Sequence, residues 1–262
     1  MRQQPRRAVS APRAPRIPAT AGIVEDYEGR EVAAHPFFIG LAARPVDLGA
    51  IYVLMSNLQE GISGHFIKWL SRTIMRLDDH RITSLLAKQL NDELGDGKAD
   101  QVHGVLLAHF VAGLEEWRPG GDPEQLLVAG RRLAEVGAQP FHADNISESL
   151  GALMVGEIFA KKMDSCLGDQ MRRQTNVSAE ALTWLIIHET LEVHHADDSH
   201  ELALLIPDDP ISVQAAGRGA RSQWHALWDF LTDVEETVAT IGAKPDQPRR
   251  AGPRAHRRRT QH

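Results

Sequence analysis

Apolar residues recur at three- and four-residue steps through most of the chain, with no convincing run of alternating, β-branched residues bounded by tight hairpin turns. The spacing predicts an all-α fold. Gly and Pro punctuation divides it into roughly eight helices, over about 46–60, 64–77, 79–94, 100–117, 123–137, 144–165, 178–197 and 208–241. No repeat of solenoid length and no internal linker long enough to split the body can be found. One helical domain over 23–243 is therefore expected, between disordered basic tails at 1–22 and 244–262.

Charge changes the picture at the ends. The net charge of −6 hides five Arg and no acid in residues 1–22, and Lys244 with six Arg against Asp246 alone in residues 244–262. Taking away tails of +5 and +6 leaves −17 on residues 23–243. Such a body repels polyanions, so nucleic acid is not an expected partner. The tails, rich in Pro and Arg, hold too little apolar surface to fold and read as solvated ends or as arms for an anionic partner. Arg6 and Arg7 resemble a twin-arginine signal, but Pro12, Arg13, Pro15, Arg16 and Pro18 interrupt the apolar stretch it would need. No apolar run approaches the ~18 residues of a bilayer span, so a cytoplasmic location without membrane association is expected. The single cysteine, Cys166, excludes an internal disulfide and a thiolate-based zinc or iron–sulfur site.

The chemistry lies in ionisable residues standing where helical periodicity calls for apolar ones. Ile82, Leu86 and Glu93 fall on one line, because steps of four and seven return a helix of ~3.6 residues per turn to nearly the same face. In the next helix Leu106, Leu107, Phe110 and Leu114 form the stripe, and His103 sits one turn before Leu106 on the same side, whereas His109 faces elsewhere. Leu150, Met154 and Glu157 share another line, flanked by Leu153. In the helix from Trp184, at ~100° per residue, Glu192 lies about 40° and His195 about −20° from His188, so the three share one strip. Glu189 and His194 point away, and His194 and His200 read as surface residues.

Buried carboxylates without partners would cost more than a domain of ordinary stability holds. The one basic residue close to these acids is Lys161, a turn beyond Glu157. Divalent metal is the simpler balance. Glu93, Glu157 and Glu192 with His103, His188 and His195 form a mixed O and N set suited to two ions of iron or manganese, whose +4 would meet −3 from the carboxylates. Singly, His103 also reads as a hydrogen-bonded core histidine and Glu157 as an interfacial acid.

The run Asn91-Asp92-Glu93-Leu94-Gly95-Asp96-Gly97 followed by His103, then the isolated Glu157, then His188, Glu192 and His195 at His-x3-acid-x2-His spacing, resembles the heme-oxygenase-like diiron oxidases and oxygenases. These are fold relatives of pyrroloquinoline-quinone synthase and the thiaminase-like bundles. The family commonly has Asp where this chain has Glu192, which keeps the charge and lengthens the arm. The resemblance implies a heme-oxygenase-like bundle of about seven to eight helices and two Fe ions cycling between Fe2+ and Fe3+. One would be held mainly by Glu93, His103 and His188, the other by Glu157, Glu192 and His195. It further implies O2 as cosubstrate, reduced to a peroxo-diferric intermediate that removes hydrogen or transfers oxygen, in specialised metabolism.

A small aliphatic amino acid or amine is the expected substrate, oxidised by C–H activation or desaturation, with fragmentation or cyclisation as possible outcomes. N-oxygenation and fatty-acid decarboxylation are alternatives within the same family. Candidate pocket residues are Met55, Leu58, Phe66, Trp69, Met154 and Phe159, with Lys161, Lys162 and Arg172 as candidate carboxylate anchors. An external electron donor and a homodimer are possible partners; Trp224, Trp228 and Phe230 would supply a dimer face or, preferably, complete the core. A zincin would need His where Glu192 stands, and a ferritin-like bundle two Glu-x-x-His motifs where Glu192 and His195 supply one. The reading from another class is a non-enzymatic helical interaction protein whose inward acids are satisfied by hydrogen bonds.

Overall fold

Capping side chains set where most helices begin. Asp47, Asp79, Asp122 and Asn145 each accept a backbone N–H from the first turn that follows them, and Asp209 accepts two, from Ile211 and Ser212. Pro123 and Pro210 occupy first helical positions, where a missing N–H costs nothing. The computed structural model describes residues 18–43, 46–172, 177–179 and 182–242, and the side chains of 190–196 and 242 fall outside the described residues. In chain order the helices are α1 (Ala21–Glu28), α2 (Pro36–Ala42), α3 (Leu48–Leu58), α4 (Phe66–Ile74), α5 (His80–Glu93), α6 (His103–Gly113), α7 (Pro123–Leu126), α8 (Val128–Gly137), α9 (Ile146–Met171), α10 (Thr183–Leu205) and α11 (Pro210–Gly242).

Helices α9 and α11 form the spine, with α10 against α9 and α8 against α11. Glycine allows the spine to close. A Cβ on Gly151 would strike the carbonyl of Ala216, and one on Gly219 would strike the carbonyl of Glu148, so the two backbones meet with nothing between them. Around this contact lies one core built from every long helix, including Met55, Leu86, Phe110, Leu133, Leu150, Phe159, Leu202 and Leu231.

The all-α expectation holds, but the described residues carry eleven α-helices rather than seven to eight. Two arise where one longer helix was expected between 123 and 137, which breaks at Leu127 into α7 and α8. Two more, α1 and α2, occupy a stretch predicted to hold no helix. They fold because they cover the aromatic side of α11: Tyr27 meets Trp224 at 5.3 Å and His35 meets Trp228 at 4.7 Å. Trp224 and Phe230 are accordingly buried, as a core role requires. The packed body also reaches back to Thr20, a few residues before the expected boundary at 23; its hydroxyl donates to the Ala203 carbonyl. The segment expected as helix 46–60 ends at Leu58 and passes into a π-helical turn, Gln59–Ser63. Tertiary packing causes the break: Asn57 donates to the carbonyls of Val53 and Leu126 and accepts from Gly130 N–H, while Gly61 lies directly on Gly130. Among the described residues, no helix is long and apolar enough to cross a membrane.

Candidate metal centre

The motif around Glu93 is first of all a turn. Gly95 has φ +74°, and a Cβ there would collide with the carbonyl of Lys98 and the amide of Val102, so only glycine lets the chain reverse this tightly after α5. Asn91 Nδ2 donates to Asp96 Oδ1 at 3.0 Å and braces the reversal. The result sets the last residue of α5, Glu93, against the first residue of α6, His103.

Four of the six expected ligands line a single cavity of about 110 Å³: Glu93 from α5, His103 from α6, Glu157 from α9 and His188 from α10. His103 and Glu157 are buried, and Glu93 is nearly so. Glu192 and His195 belong to α10, but their side chains lie outside the described residues. Among the described residues no group of three such donors closes on one point; the donors instead form pairs.

The pairs differ in kind. His103 Nδ1 lies 3.1 Å from Glu93 Oε2, yet among the described residues it makes no hydrogen bond. Close approach without hydrogen-bond alignment is the relation of two donors aimed at a common third point. Neighbouring donors about 2.1 Å from one ion stand roughly 3 Å apart. These residues therefore fit a metal ion, and hard carboxylates with imidazoles suit iron or manganese. His188 behaves otherwise. Its Nδ1 is 3.3 Å from Asp164 Oδ2 in hydrogen-bonding geometry, Trp184 stacks on its ring at 4.0 Å, and the His103 ring stands 4.6 Å away.

Asp164 escaped the sequence reading, although it follows Glu157 by seven residues and so shares its face. It is 1% exposed, and its Oδ1 has no hydrogen-bond partner among the described residues. Burial pushes its carboxyl well above the usual carboxylate range, and the nearby acids Glu189 and Glu157 push it further. Gln89 was also missed; one turn before Glu93, it donates its amide N–H to Glu157 Oε1. A third is Gln223 of α11, buried, lining the cavity, with its Oε1 unpartnered among the described residues.

Of the expected pocket residues, Leu58, Phe66 and Phe159 line the cavity, together with Ile62, Leu107, Met163 and Leu227. Met55 and Met154 are core residues away from it, and Trp69 stacks on Phe141 at 5.2 Å. Lys161 is not in the cavity. With Ile158, Lys162, Ser165 and Asp169 it recurs at the helical repeat along the opposite, outer face of α9, where it lines a separate groove beside Glu28 and Glu31. Lys162 donates to the Glu28 carbonyl, and Arg172 pairs with Glu189 and Asp169, so the other two proposed anchors are turned elsewhere too.

Comparison with known proteins adds a family and a fold. Residues 61–228 match the model of a family described as an iron-containing redox enzyme. Among solved structures, the chain is similar to a CADD-like protein of unknown function from Nostoc punctiforme (TM-score 0.64, 14% identity, 85% of this chain and 98% of that one). It is also similar to a domain of unknown function with a heme oxygenase-like fold from Shewanella denitrificans (TM-score 0.60, 16% identity, 86% and 92%). A third is a TenA homolog from Pseudomonas syringae pv. tomato (TM-score 0.60, 12% identity, 84% and 93%). No curated protein matches the sequence. At such identities these likenesses establish the heme-oxygenase-like fold.

Proposed function

We propose that this chain, which belongs to the family of iron-containing redox enzymes, is a non-heme diiron oxidase that uses O2 to oxidise a small aliphatic substrate, an amine in preference to an amino acid. The observation that carries this reading is the meeting of Glu93, His103, Glu157 and His188, from four helices, on one buried cavity. Glu93, His103 and His188 would hold one ion, and Glu157, Glu192 and His195 the other. Bound iron would supply the electrons that activate O2.

The rest falls to side chains. Gln89 holds the Glu157 carboxylate through its amide, and the Glu93 and His103 side chains are already brought side by side by the Gly95 turn. Leu58, Phe66, Leu107 and Leu227 keep bulk water from the reacting group. The space of about 110 Å³ is well below the roughly 300–1,000 Å³ of sites for drug-sized ligands, which disfavours a long acyl chain. No Lys or Arg is among the described residues lining the cavity, which disfavours an ionically anchored substrate carboxylate. Gln223 offers both an acceptor and a donor to an amine. A two-electron C–H oxidation covers half of the four electrons that reduce O2 to water, so an external donor would provide the other two.

Anaerobic reconstitution with Fe(II) followed by elemental analysis tests the reading. About two irons per chain are expected, with loss in His188→Ala and Glu157→Ala. O2 uptake is then measured against amines, amino acids and fatty acids, with products identified by mass spectrometry. Iron absent from every form would overturn the enzyme reading in favour of a helical interaction protein.

A further inference from the structure

We infer that Asp164 is the positioning residue of His188: its Oδ2 takes the hydrogen bond of Nδ1–H and so leaves the Nε2 lone pair for the metal side of the ring. The inference rests on the diiron reading above.

Two acid–imidazole contacts in the same cavity differ in alignment, and that difference separates their roles. Glu93 Oε2 and His103 Nδ1 are 3.1 Å apart without a hydrogen bond, as co-donors to one ion would be. Asp164 Oδ2 and His188 Nδ1 are 3.3 Å apart with hydrogen-bond alignment, so the ring edge is already engaged by the acid. An imidazole whose Nδ1 carries the proton has its lone pair on Nε2. Trp184, one helical turn before His188, covers a ring face at 4.0 Å with 29° between planes, so edge and face are both held. Metal-bound histidines are commonly fixed in this way by a carboxylate behind the ring, which sets the tautomer and strengthens the donor nitrogen.

Packing alone does not account for Asp164. It is 1% exposed on the middle helix of the core, and only one of its oxygens finds a partner among the described residues. A buried polar pair can often be replaced, both partners together, by apolar residues of similar volume without loss of stability. Its place behind a candidate ligand, two turns along α9 from another, gives the acid a purpose that stability does not.

The full chain with Asp164→Asn, Asp164→Leu and His188→Gln tests this through long-range 1H–15N spectra of the histidine side chains, recorded metal-free and again with Zn(II) added. The signals lost in His188→Gln identify that ring. In the unmodified chain Nδ1 is expected to carry the proton; Asn, which keeps an acceptor oxygen, preserves this state, and Leu abolishes it. Fe(II) affinity by anaerobic equilibrium dialysis should fall about 10- to 100-fold in Asp164→Leu and only a few-fold in Asp164→Asn. A proton on Nε2 alone in the unmodified chain overturns the inference. So does equal metal loss in Asn and Leu while the Asn variant keeps Nδ1–H, since Asp164 would then act by its charge. A chain that binds no iron but shows the locked tautomer would sink the diiron reading and leave the assignment of Asp164 to His188 standing.

Discussion

His35 carries a pH dependence that can be worked out atom by atom. It is 1% exposed and caps α2: its Nδ1 accepts the Phe37 N–H at 3.1 Å, so Nδ1 must be unprotonated. Nε2 then holds the proton and donates to Thr232 Oγ1 at 3.1 Å, while that hydroxyl donates to the Trp228 carbonyl. Burial lowers the His35 pKa below its ordinary 6.5. Since the folded state binds the proton less readily than the unfolded state, the ring costs nothing above pH ~6.5. Stability falls as pH drops through that value, and levels off only below the folded pKa. The loss can approach about 1.4 kcal/mol per pH unit, and the cap that protonation destroys is itself worth about 1 kcal/mol. At roughly 2–4 °C per kcal/mol for a body of this size, the upper limit is about 3–6 °C in Tm one pH unit below 6.5. The assay is calorimetric Tm from pH 7.5 to 5.5 for the chain and for His35→Asn, which keeps a capping oxygen but cannot titrate. The variant should be the less stable at pH 7.5, because it loses the Thr232 bond and the contact with Trp228, and the gap should narrow on acidification. Parallel curves across the whole range would refute the assignment of Nδ1 as the cap.

Gly219→Val should lower stability by about 1–3 kcal/mol, seen as a lower denaturant midpoint, because the new side chain meets the Glu148 carbonyl and neither backbone can yield. Gln223→Leu should leave Tm unchanged or slightly raised, since it removes a buried acceptor with no partner among the described residues, while raising KM for the amine substrate roughly tenfold in O2-uptake assays. Lys161→Ala should leave that KM unchanged; a rise would put a cationic anchor back into the site.

How much of this was legible follows from what each signal depends on. Glu93, His103, Glu157 and His188 stood out because each breaks an apolar repeat of its own helix, a property of local sequence alone. The breaks at Leu58 and Leu127 were not legible. They come from Asn57 bridging to Leu126 and Gly130, residues about 70 positions away, whose meeting no local pattern announces. Helices α1 and α2 were missed for a related reason: each is only two turns long and gains its order from α11.

Lys161 and Asp164 show the same limit on a smaller scale. Both follow Glu157 within two turns of α9, in the run Lys161-Lys162-Met163-Asp164-Ser165. Periodicity places them on either side of Glu157: at ~100° per residue, Asp164 returns to within about 20° of it, and Lys161 stands about 40° off on the other side. An offset that small does not decide which side of a helix faces a cavity; the neighbours do. Because α1 and the turn after it lie along the outer flank of α9, the lysine shares a groove with Glu28 and Glu31. The aspartate, turned inward, is left with an imidazole. A sequence reader looking for a cation near Glu157 therefore chooses Lys161. The fold instead adds a further acid at this place, where burial, with Glu189 and Glu157 nearby, disfavours its charged form.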